Sequence, residues 1–160
     1  MMQNTTGVYN AVSILALDFE KHSNSTEKSL RENMLSLAIP IVILGFYGIE
    51  IGLKALLEGQ GCKYDHTHDL GGLYKSLSSE TNKILEGKII EPHERFSLER
   101  FLDYHQASFV DWRYRWEKEE ASLALFSPSA ILMVLKGIMD TVAELHQDEL
   151  VNNRPPEPDS

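Results

Sequence analysis

The side chains in this chain best equipped for chemistry fall into three groups. The largest lies in 95–116, where four of the six arginines (Arg95, Arg100, Arg113 and Arg115) are interleaved with Tyr104, Trp112, Tyr114 and Trp116. Guanidinium groups suit bidentate phosphate contacts, and aromatic rings suit base stacking. Glu99, Asp103, Asp111, Glu117, Glu119 and Glu120 lie among them. Asp111–Arg115 and Arg113–Glu117 stand four apart, so a solvated, salt-bridged helix face competes with the nucleic-acid reading and is the simpler of the two. His105 falls on the apolar side of the same stretch, where a lone histidine suits a hydrogen-bonded core or interface position. Arg100 precedes it by a five-residue step, about 140° of rotation on an ideal helix, so the pair converges only across two copies of the chain.

The second group is Glu50 and Lys54, four apart within a strongly apolar run. On an exposed face they would form a weak i,i+4 pair. Amid Ile49, Ile51 and Leu53, however, a carboxylate has to find a partner or take up a proton. The third group is Cys62, Asp65, His66, His68 and Asp69. Imidazole and carboxylate are zinc ligands, but no second ligand set follows, and Asp69 is well placed to cap a helix. No glycine-rich phosphate loop, nucleophile elbow or zincin helix is present, so neither a metal nor a cofactor is expected.

The elements that must position these groups read as helices. Val8, Val12, Leu15, Leu17 and Phe19 mark an amphipathic helix over 8–22. A second helix spans 26–58, with Pro40 inside it expected to kink it, and is ended by Gly59 and Gly61. Its Ile41-Val42-Ile43 run could be a strand in isolation, but Leu53, Ala55, Leu56 and Leu57 continue it as helix. Apolar on nearly every side, it should be surrounded by the others. A third helix is expected over 69–87. Leu98, Leu102, His105, Phe109, Trp112 and Trp116, spaced alternately four and three, predict one long helix over 98–116. Ser127-Pro128 opens the last helix, whose stripe is Ile131, Leu135, Ile138, Val142 and Leu145. The expected fold is all-α, an antiparallel four- to five-helix bundle.

Composition supports one domain over 1–150, followed by a proline-rich acidic tail at 151–160. The chain has 160 residues, 42% hydrophobic and 24% charged, enough for a single packed core. A formal net charge of −9 disfavours polyanion binding except at a local basic patch. Cys62 is the lone cysteine, so no intramolecular disulfide can form and a reducing, cytoplasmic setting is expected. No Lys or Arg precedes Lys21, so the basic start of a signal peptide is missing. Residues 33–49 are uncharged but contain Asn33, Ser36, Pro40, Gly45 and Gly48, with Glu50 following. They read as a buried central helix rather than a membrane span.

Three stretches taken in order resemble the HEPN superfamily of small helical domains. Gly48-Ile49-Glu50-Ile51-Gly52-Leu53-Lys54-Ala55-Leu56-Leu57 resembles its second-helix pattern. His68-Asp69-Leu70 resembles its histidine-aspartate-leucine helix start, and Arg113-Tyr114 its later arginine-tyrosine. The resemblance spans about 38–145. It implies a helical homodimer associated with a nucleotide, RNA or a partner protein, in settings such as toxin–antitoxin pairs and phage defence. Its polar site would be Glu50, Lys54, His68, Asp69, Arg113 and Tyr114. In ribonuclease members it further implies an arginine and a histidine, here Arg100 and His105, paired across the dimer for metal-independent RNA cleavage. There the histidine would move a proton and the arginine would stabilise charge on phosphorus. Phe101 follows Arg100 where active members carry a polar residue, and no histidine follows Arg113 in range. The expectation is therefore a non-catalytic binding module, with the endoribonuclease as the alternative.

Overall fold

The computed structural model describes residues 2–23, 28–64, 67–89, 96–106 and 127–152. The regular structure among them is helical, with no strand: α1 (Met2–Ser23), α2 (Lys28–Gly59), α3 (Leu70–Lys75), α4 (Ser79–Lys88), α5 (Leu98–Tyr104) and α6 (Pro128–Asn152). The described part of the chain is all-α, and the isoleucine-valine run of α2 is helical.

Core formation centres on α2, which buries Ile41, Val42, Phe46, Ile49, Leu53, Leu56 and Leu57. One side of it is lined by Gly45, Gly48 and Gly52. A Cβ on Gly45 would collide with Ile131, and one on Gly52 with Ile138. On Gly48 it would sit 2.8 Å from Leu135 Cδ2 and 2.7 Å from Val8 Cγ1. The missing side chains thus let α6 and α1 ride directly on the α2 backbone. The partner numbers 131, 135 and 138 rise with 45, 48 and 52, so α2 and α6 run in the same direction. Gly48 meets Val8 while Gly52 approaches Thr5, so α1 runs antiparallel to α2. The expected antiparallel arrangement describes α1 and α2 but not α2 and α6.

Helix ends follow local chemistry. Gly61, at φ +67°, closes α2: its N–H donates to Glu58 O (2.9 Å), and that of Cys62 reaches back to Leu57 O (3.0 Å). Pro40 is accommodated within α2. Ser127 and Pro128 start α6 as expected, with Ser127 Oγ accepting from Ala130 N at 3.3 Å. The last helix continues through Asn152, two residues into the stretch expected as tail.

Two expected helices are shorter in the structure. The single helix over 69–87 is split. The Ser76 N–H caps α3 by donating to Gly72 O and Leu73 O, and Ser78 then opens α4 by accepting from Thr81 N at 3.2 Å. The long helix from Leu98 stops at Tyr104, and His105 is its C-cap at φ −100°, ψ 13°. Of the expected seam, Leu98 and Leu102 are buried as the spacing requires. Phe109, Trp112 and Trp116 lie outside the described residues.

Residues 36–59 of α2 are long and apolar enough to cross a bilayer by length and composition. In this fold 56% of that window is buried against the rest of the chain.

Candidate functional site

Glu50 is a buried charge on α2, 5% exposed, on the flank opposite the side that receives α1. Four residues on, still within α2, Lys54 donates from Nζ to Glu50 Oε1 at 2.7 Å. Across the loop after α2, His68 brings Nδ1 to 2.9 Å from Glu50 Oε2 and 3.1 Å from Oε1. The carboxylate therefore meets its desolvation cost by binding two cation-capable groups. Its partners differ in setting: the Lys54 side chain is 16% exposed and that of His68 57%. The arrangement ties the loop before α3 to the central helix. It fixes Nδ1 of an imidazole that otherwise faces outward, the geometry by which a carboxylate selects a tautomer.

Local structure delivers His68 to this place. Thr67 Oγ1 accepts the Asp69 N–H at 3.0 Å, and Asp69 in turn caps α3 by accepting from Gly72 N at 3.0 Å. Of the expected polar set, Glu50, Lys54 and His68 converge, while Asp69 holds the adjacent helix start. Arg113 and Tyr114 lie outside the described residues, as do Asp65 and His66. Among the described residues no three His, Cys, Asp or Glu side chains are grouped as metal ligands. Cys62 is exposed.

Further side-chain links join this loop and the neighbouring helices through residues that the sequence did not single out. Tyr64 places its ring 5.7 Å from Lys54 Nζ and donates its hydroxyl to Glu58 Oε1 at 2.7 Å. That hydrogen bond to a carboxylate raises the Tyr64 pKa. Gln60 bridges the loop to α4, donating to Thr81 Oγ1 and accepting from Ser78 N at 3.1 Å. Tyr74 of α3 donates to Glu86 of α4 at 2.5 Å, and burial together with that carboxylate holds its phenol well above the ordinary value. Lys75 joins α3 to α5 through Asp103 at 2.9 Å. An aromatic or a lysine at these positions carries no local signature in sequence, because each partner lies on another helix.

The second place of interest is the end of α5. His105 stacks on Phe46 of α2 with ring centroids 4.5 Å apart, lies 4.8 Å from Phe101, and meets Tyr104 edge-on at 4.9 Å. Burial lowers its pKa to about 4, so the imidazole is neutral near pH 7. Arg100 is exposed on α5, and its backbone N–H is capped by Ser97 at 3.4 Å. Tyr104 is 63% exposed.

The fold and its sites define a helical protein in which a buried carboxylate anchors a lysine and a histidine, and a second histidine packs among aromatic rings. Comparison with known protein families, with curated proteins and with solved structures finds no match to this chain.

Proposed function

We propose that this chain is a HEPN-like binding module, non-catalytic and homodimeric, that works in the cytoplasm with a nucleotide, an RNA or a partner protein. The observation that carries the non-catalytic reading is the setting of His105. Packed against Phe46 and Phe101 and held neutral by burial, it is a packing residue and a poor proton donor near neutral pH. The joining of Glu50, Lys54 and His68 supports the resemblance, since two of its motifs meet at one carboxylate. Tyr104, 63% exposed and edge-on to His105, offers apolar ring surface on which a second copy would act. The ion-paired Glu50 and Lys54 favour a buried role for α2 over a membrane-spanning one.

Incubating the purified protein with RNA in EDTA tests the reading directly. Wild type and His105→Ala are both expected to leave the RNA intact, and light scattering at micromolar concentration is expected to give a dimer mass. Cleavage by wild type that His105→Ala abolishes would replace the binding module with the endoribonuclease built on Arg100 and His105. A clean monomer would remove the dimer.

A further inference from the structure

We draw no further inference here: the strongest candidate, the cleft of about 320 Å³ between the end of α4 and the start of α5 lined by Glu86, Ile89, Phe96, Ser97 and Leu98, carries nothing because nothing among the described residues shows what fills it.

Discussion

Two histidines on neighbouring elements meet opposite environments. His68 is more than half exposed and gives Nδ1 to a buried carboxylate, while His105 lies half-buried among aromatic rings, against Phe46 and Phe101. Both rings dock on α2, one at Glu50 and the other at Phe46, four residues apart and about 40° around the same helix. One α2 face thus offers a polar anchor beside an apolar one. The residue type says little about the task. The α2 residue that each ring meets decides whether the imidazole joins a hydrogen-bonded polar network or serves as a neutral packing ring.

The apolar anchor should be the more costly to remove. Phe46 is 1% exposed and supports both His105 and Phe101, whose ring lies 6.0 Å from it. Phe46→Ala is expected to destabilise the fold by about 3–5 kcal/mol, the usual range for deleting a buried phenyl ring. Urea unfolding followed by circular dichroism measures it. A loss under about 1 kcal/mol would mean that the α5 end is not packed against α2.

Next in size is the polar anchor. Glu50→Leu removes the carboxylate but leaves the Lys54 ammonium largely buried, a loss of about 3 kcal/mol if the charge stays in place. Adding Lys54→Met to that variant should restore much of the stability, because an apolar pair of similar volume no longer buries an unpaired charge. If the double variant is no more stable than Glu50→Leu, the cost arises from lost shape rather than from the orphaned charge.

Acid should then act on the apolar anchor through His105. The His105 pKa is lowered in the folded state, so between an unfolded value near 6.5 and a folded value of about 4 the unfolded chain binds the extra proton. Stability contributed by the neutral ring is complete above that window and is lost as pH falls through it. The expected loss is on the order of 1 kcal/mol after allowance for the ring's partial exposure. His105→Phe keeps the stack without a titrating group, so its melting temperature should fall less than that of wild type between pH 6.5 and 4. Parallel curves would show that His105 does not sense the apolar environment.

Much of this contrast could be read in the sequence, and the unread part has identifiable causes. Glu50 announced a buried partner because Ile49, Ile51 and Leu53 surround it, and Asp69 announced a cap by its place before Leu70. The link from His68 to Glu50 was not legible as a contact, since it spans eighteen residues and passes through a loop whose path no periodicity fixes. Ser78-Ser79-Glu80 held a readable capping signal for α4, but the apolar stripe from Leu70 to Leu85 masked the break. Further along, the four-and-three spacing from Leu98 to Trp116 suggested an unbroken helix because spacing tracks side chains rather than backbone continuity. Neither Gly nor Pro marks the end of α5 at Tyr104. Gly45, Gly48 and Gly52 are the seam on which α6 rides, yet in the sequence they speak only against a membrane span (Gly45 and Gly48) or within the resemblance motif (Gly48 and Gly52).

The smallest expected effect is the sharpest test of how the polar anchor works. His68→Ala removes one of the two partners of Glu50, yet Lys54 remains 2.7 Å from Oε1 and the carboxylate keeps a compensating charge. Because the His68 side chain is 57% exposed, its contact with Glu50 should be worth at most about 1 kcal/mol. The global unfolding midpoint should therefore barely move. Amide hydrogen exchange at 67–73 should quicken instead, because the α3 start loses its tether to α2 while Asp69 still caps it. The asymmetry between His68→Ala and Glu50→Leu is the signature of a carboxylate that holds a loop from a buried seat. If His68→Ala cost as much as Glu50→Leu, the imidazole rather than Lys54 would be the partner that offsets the burial of Glu50.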